Sequence, residues 1–174
     1  MEQVADSRYI GSYLSDSRHT LENVTFGDSV KGIGSAAFLQ CSSLRHVNIS
    51  ANVESIGDNA FQQCTSLASV SVPGSVRSVG YGAFSLCSSL PSVHLPASVT
   101  IISASAFERC DALRTVRIDA SSPSIHSTAF TFVELKVLHT NMEQVADSRY
   151  IGSYFPFSRD TLENVTFGDS VKGI

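Results

Sequence analysis

The sequence predicts a solenoid of stacked turns with a 23-residue period, parallel β-strands along one face and short helical turns opposite. Three observations carry this. The cysteines fall at Cys41, Cys64, Cys87 and Cys110, each 23 residues after the last. An Ala-Phe pair recurs on the same step at Phe38, Phe61, Phe84, Phe107 and Phe130, each preceded by Ala. Further apolar columns keep the register, among them Leu21, Leu44, Leu67, Leu90 and Leu113, then Val24, Val47, Val70, Val93 and Val116. A fixed period of this length means repeats too small to bury their own apolar faces, so they must stack.

Within a repeat, L-x-x-V-x-I ends in alternation, as in Val47-Asn48-Ile49, which predicts a short strand with Val and Ile turned inward. Stacked strands then run parallel, with equivalent side chains about 4.8 Å apart. Gly27, Pro73 and Pro96 end the strand. A V-x-x-I segment, such as Val53 to Ile56, forms the next edge. Gly34, Gly57 and Gly80 turn the chain. A-F-x-x-C reads as a single helical turn with its Phe in the core, and the small Ala lets neighbouring turns stack closely. About seven turns are expected, in one solenoid over 1–174. Its core repeats are 10–32, 33–55, 56–78, 79–101 and 102–124, followed by an irregular stretch over 125–150 and a duplicated terminal segment over 142–174.

Composition narrows the function. With 43% hydrophobic and 16% charged residues in 174 and a mean hydropathy of +0.09, the chain is not of the disordered class. A net charge of −4 from 12 basic and 16 acidic residues argues against a nucleic-acid partner. No apolar run reaches the roughly 18 residues of a membrane span. Residues 1–13 lack the basic start and apolar stretch of a signal peptide, which a processed chain would also lack.

Chemistry is sparse. No close cysteine pair offers a metal site, and cysteines in an apolar column are expected as buried free thiols. Gly80-Tyr81-Gly82 begins like a dinucleotide loop but lacks the third glycine, so no cofactor is implied. The sequons at Asn23, Asn48 and Asn164 fall on strand positions and read as structural. No nucleophile–base–orienter set can be assembled, so no catalytic residue is assigned and the chain is not read as an enzyme.

The motif I-G-x-x-A-F-x-x-C-x-S-L-x-x-V-x-I-P-x-S-V, matched nearly position for position from Ile56-Gly57 to Val76, resembles the BspA-type, or Treponema pallidum-type, bacterial leucine-rich repeat. The resemblance covers residues 33–118 strongly, and 10–32 and 125–174 in degraded form. It implies a leucine-rich-repeat solenoid, an adhesin-like module that binds host or extracellular-matrix proteins, and a secreted, periplasmic or cell-surface location.

The strand face is where such a ligand is expected. One outward column reads Asn23, His46, Ser69, Ser92, Thr115; the other reads Thr25, Asn48, Ser71, His94, Arg117, His139. The face is polar and nearly uncharged until its C-terminal half, where His94, Arg114, Arg117, Lys136 and His139 gather. His46 and Asn48 belong to the same face. A basic patch of this kind attracts a protein or an anionic polysaccharide. His94 and His139 lie two strands apart, about 10 Å, too far to share one metal ion.

A second regularity overlies the first. Residues 1–33 recur at 142–174, with Leu14, Ser15, Asp16 and His19 replaced by Phe155, Pro156, Phe157 and Asp160. The second copy is the more apolar. Phe155, Pro156, Phe157, Leu162, Val165 and Phe167 are therefore expected to form a homo-oligomer interface, closed by a two-fold axis. The alternative function is a self-assembling scaffold whose oligomer is the functional form.

Overall fold

A computed structural model describes residues 18–142, 153–158 and 160–168. The opening of the first repeat, with Leu14, Ser15 and Asp16, lies outside the described residues, as do 143–152, 159 and 169–174 of the duplicated segment. Twelve short strands are described. One set is β1 (Asn23–Thr25), β3 (His46–Asn48), β5 (Ser69–Ser71), β7 (Ser92–Leu95), β9 (Thr115–Ile118), β11 (Val137–Thr140) and β12 (Asn164–Phe167). The other is β2 (Gly32–Ile33), β4 (Ser55–Ile56), β6 (Ser78–Val79), β8 (Ile101–Ile102) and β10 (Ser124–Ile125). Every pairing is parallel, and from β1 to β9 the partners step by 23 residues, as in Val24 with Val47 and Val93 with Val116. The chain is a parallel leucine-rich-repeat solenoid of about six turns.

The core follows from the columns. Five phenylalanines from Phe38 to Phe130 stack with centroids 5.1–5.3 Å apart and planes within 8°. Phe26 closes the first end edge-on, at 5.7 Å and 87°. Each ring is fully buried, worth about 1.5–3 kcal/mol in apolar transfer. The Leu, Val and Ile columns fill the same interior.

The side opposite the strands differs from expectation in detail. The A-F-x-x-C segments close by i to i+3 hydrogen bonds, with Cys41 N–H donating to Phe38 O at 3.2 Å. They do not become helix, and among the described residues only Ser153 and Tyr154 are helical. The reason is backbone sign. Ala36, Asn59 and Ser105 hold φ of 55–56°, and Gln40, Gln63, Leu86, Arg109 and Phe132 hold 54–63°. These left-handed residues aim N–H groups along the solenoid axis. Ala36, Phe38 and Gln40 donate to the carbonyls of Asp58, Ala60 and Gln62 at 2.7–2.8 Å, and the same triplet recurs in later turns. Gly57 is required for closeness, since a Cβ there would lie 2.7 Å from both the Ile33 carbonyl oxygen and the Ser35 nitrogen.

After Phe130 the step changes. β11 pairs with β9 one residue short, Val137 opposite Thr115, and β12 pairs with β11, Val137 opposite Asn164. Phe155 takes the sixth place in the aromatic column, 4.8 Å from Phe130 but tilted by 41°.

The strand face divides into a sheet of β1-β3-β5 and a sheet of β7-β9-β11-β12, whereas the β2-to-β10 sheet is unbroken. Pro91 supplies the physical reason. At each other junction the residue before the strand donates to its counterpart one turn back, as in Ala68 N–H to Arg45 O at 2.9 Å and Arg114 N–H to Pro91 O at 2.9 Å. Pro91 has no N–H to give Ala68. Pro91→Ala should restore that donor, and hydrogen exchange should then find residue 91 among the protected amides. An amide at 91 that exchanges as fast as an exposed loop would count against this account.

Candidate binding face

The strands place their outward residues as the alternation requires. Val24, Val47, Val93 and Val116 point into the core, and Asn23, Thr25, His46, Asn48, Ser69 and Ser71 are exposed beside them. In the first sheet, His46 Nδ1 lies 2.9 Å from Ser69 Oγ. His46, Asn48 and their neighbours line a shallow depression of about 330 Å³, floored by Val24, Val47 and Val70.

The second sheet carries the charge. Registration sets His94 opposite Arg117 and Arg117 opposite His139, so these three form one outward row across adjacent strands. The structure pairs most of the cations in this region with a partner. Asp119 sits just past β9 and accepts from both His94 Nε2 at 2.7 Å and Arg117 Nε at 2.8 Å. Lys136 Nζ reaches Glu163 Oε1 at 2.8 Å. Arg114 Nη1 donates to the carbonyls of Asp111 and Leu113 at 2.7 and 3.1 Å. The cluster of basic residues is thus brought together, but as a row of ion pairs rather than an open positive patch. Burial pushes the Asp119 carboxyl upward, yet the hydrogen bonds and charges of Arg117 and His94 outweigh it and hold the group below its ordinary 3.8.

Sequence reasoning missed Asp119 and Glu163. Asp119 lies two residues after Arg117, beyond the alternating strand, and nothing in the repeat motif marks that position. Glu163 belongs to the duplicated segment, whose register with Lys136 cannot be read from a 23-residue step.

The six residues expected at an oligomer interface separate. Phe155 is fully buried in the chain's own aromatic column, a correction to that expectation, because a core ring has no face left for a second copy. Leu162, Val165 and Phe167 are half-buried and pack against the same core. Pro156 and Phe157 are exposed.

The four cysteines are free and buried. The Sγ–H groups of Cys64, Cys87 and Cys110 donate to the carbonyls of Phe38, Phe61 and Phe84, each at 3.2 Å. Burial pushes the thiol up to about 11 at Cys41 and about 12 at Cys110, and raises Cys64 and Cys87 as well.

With this geometry in hand, the family is decided by one comparison. The BspA type leucine rich repeat region matches residues 8–136 and 75–174, with 6 copies. The chain belongs to the BspA-type leucine-rich repeat family. Its solenoid is similar to a leucine rich cell surface protein of Faecalibacterium prausnitzii, at 22% identity and a TM-score of 0.66 over 87% of this chain and 33% of that one. It is similar to the Treponema pallidum leucine rich repeat protein, at 28% identity and a TM-score of 0.58 over 79% of this chain and 65% of that one. It also resembles the pneumococcal vaccine antigen PcpA, at 16% identity and a TM-score of 0.61 over 85% and 42% of the two chains. This BspA-type chain therefore spans between a third and two thirds of the length of these solved relatives. No curated protein matches it in sequence. No helix among the described residues is long and apolar enough to cross a membrane.

The Asp119 ion pairs have a pH signature. Its lowered value means that their stabilisation is fully present above the ordinary 3.8 and is lost as pH falls through the depressed value. Carbon-detected NMR titration should place the Asp119 carboxyl midpoint below 3.8, and Arg117→Ala should move it upward. A midpoint that ignores Arg117→Ala would mean that the pair does not form in solution.

Proposed function

We propose that this chain is a non-enzymatic binding module with an adhesin-like role, displayed at or beyond the cell surface, and that its ligand is a protein or an anionic polysaccharide. The observation that carries this reading is the row His94, Arg117 and His139 on adjacent strands, with Arg114 and Lys136 in the residues that lead into β9 and β11. These side chains stand on a rigid sheet, and the core does not need them. A solenoid presents such a face as an extended surface. The similarity to a leucine rich cell surface protein supports the location.

The row's ion pairs shape the chemistry. Asp119 holds Arg117 and His94 in fixed positions, and an anionic ligand group must share or displace that carboxylate. Such exchange selects for well-placed anions rather than for bulk negative charge. His46 and Asn48, on the other sheet, offer further hydrogen-bonding groups to the same ligand.

Surface plasmon resonance against immobilised matrix proteins and a sulfated polysaccharide, at low and high salt, tests this. Arg117→Glu with Lys136→Glu should weaken binding and flatten its salt dependence. Unchanged binding by the reversed variant would remove the row from the ligand site.

A second reading, the self-assembling scaffold, is favoured by the exposed Phe157 and the half-buried Leu162, Val165 and Phe167 around β12. Light scattering over a range of concentrations should then give a mass that rises toward a dimer and falls back with Phe157→Asp. Phe155→Asp is uninformative here, because it would break the core. A constant monomer mass at high micromolar concentration would exclude the scaffold.

A further inference from the structure

We propose that the turn side of the solenoid carries a second binding site, for a neutral linear polysaccharide. A groove of about 600 Å³ runs along this corner. Gln40, Gln63 and Leu86 form one wall, and Ser42, Thr65 and Ser88 the other. His19 and Asp111 belong to the turns at its two ends. Both walls are columns of the 23-residue step; the Ser42, Thr65 and Ser88 wall repeats a hydroxyl at each turn, and the other carries an amide at two turns and Leu86 at the third.

One wall continues beyond the groove as an aromatic strip. The positions that follow Leu86 in its column are Arg109, Phe132 and Phe157. The Arg109 guanidinium lies 4.8 Å from the centroid of the Phe132 ring, and the Phe132 and Phe157 rings are 4.6 Å apart at 37°. Phe132 is 46% exposed and Phe157 44%. Phe132 also holds φ of 59°, a conformation that bulky residues rarely adopt. The turn holds that sign from Gln40 to Phe132, and Gln40 and Gln63 meet it with polar side chains. Nothing in the core requires a phenylalanine at position 132.

The chemistry of the walls selects the occupant. Apart from His19 and Asp111 at its ends and the apolar Leu86, the groove offers amides and hydroxyls, and no lysine or arginine lines it, so a polyanion gains little from it. Thr65 and Ser88 hydroxyls already donate to the carbonyls of Ser42 and Thr65, each at 3.4 Å, which leaves their lone pairs to accept from a ligand hydroxyl. Successive turns are 5.1–5.3 Å apart at the aromatic column, and the groove's rungs belong to the same turns. An extended peptide advances about 3.3 Å per residue and a polyproline helix about 3.1 Å, so neither brings like groups to successive rungs. A chain of equatorially linked hexoses advances by about one ring per rung. Its C–H faces pack on exposed ring faces such as those of Phe132 and Phe157, and its hydroxyls meet the amides. This site goes beyond the strand-face reading, because it uses another surface and an uncharged ligand.

Affinity electrophoresis of the whole chain tests it, in gels containing hydroxyethyl cellulose, a β-mannan or a glucomannan, with a sulfated polysaccharide as contrast. At least one neutral polymer should retard the protein, and added salt should leave that retardation unchanged. Phe132→Asn combined with Phe157→Asp should weaken it about tenfold; asparagine tolerates the left-handed backbone at 132, and circular dichroism should be unaltered. Gln63→Ala, on the groove wall, reads the same site without touching the aromatic strip and should weaken retardation too. Arg117→Glu should leave it unchanged. No retardation by any of the three neutral polymers overturns the proposal, as does retardation that survives both groove variants. Retardation by the sulfated polymer alone overturns it as well, and points to the strand face instead.

Discussion

The structure depends on the backbone hydrogen bonds that run from each turn to the next on the side opposite the strands. Buried N–H groups must find acceptors, and Ala36, Phe38 and Gln40 find theirs in the following turn. The flanking donors Ala36 and Gln40 reach them with left-handed backbone, which costs about 1–2 kcal/mol for a residue with a Cβ. An unmade buried bond would cost a comparable amount, about 1–3 kcal/mol. The bonds therefore hold the strained residues in place, and the strained residues hold the spacing between turns. Once that spacing is fixed, each side chain sits directly over its counterpart 23 residues away, and the columns follow.

Two surfaces result, with different chemistry. On the strand face the alternation turns every second side chain outward, onto a sheet whose ladder is interrupted only where Pro91 lacks a donor. The interruption separates the depression around His46 and Asn48 from the row of His94, Arg117 and His139, in which Asp119 pairs with His94 and Arg117. On the turn face the outward positions from Gln40 to Phe132 hold positive φ, and their side chains change from Gln40 and Gln63 to Arg109 and Phe132 along the axis, with Phe157 stacked beyond them. A solenoid can vary either surface one residue at a time without disturbing the core, because neither surface contributes to it.

The duplicated segment shows how far the core tolerates a broken period. Phe155 follows Phe130 by more than one regular step, yet its ring still completes the aromatic column, tilted by 41° rather than parallel. Ser158 takes the cysteine column at that level and donates from its Oγ to the Val133 carbonyl at 2.8 Å, where the cysteines two to four turns earlier donate to a phenylalanine carbonyl. The replacement of Leu14, Ser15 and Asp16 by Phe155, Pro156 and Phe157 thus does two things. It adds a ring to the interior, and it leaves Phe157 on the surface beside Phe132.

The sequence by itself determined the columns, and so the fold, the core and the outward residues from Asn23 to His139. A period needs no knowledge of geometry: residues at equal steps share an environment whatever shape the turn takes. Val47, Phe61 and Cys87 were legible for that reason. What the tertiary structure decided is everything that depends on contact between residues outside the register. Asp119 joins Arg117 to His94 because β9 ends where it does, and Lys136 meets Glu163 because the chain takes an irregular path after Phe130. The helical reading of A-F-x-x-C gave way to positive-φ turns because the inter-turn N–H bonds outweigh local helix geometry. Phe155 moved from an expected interface into the core because a vacant place in the aromatic column buries a ring more completely than any surface contact.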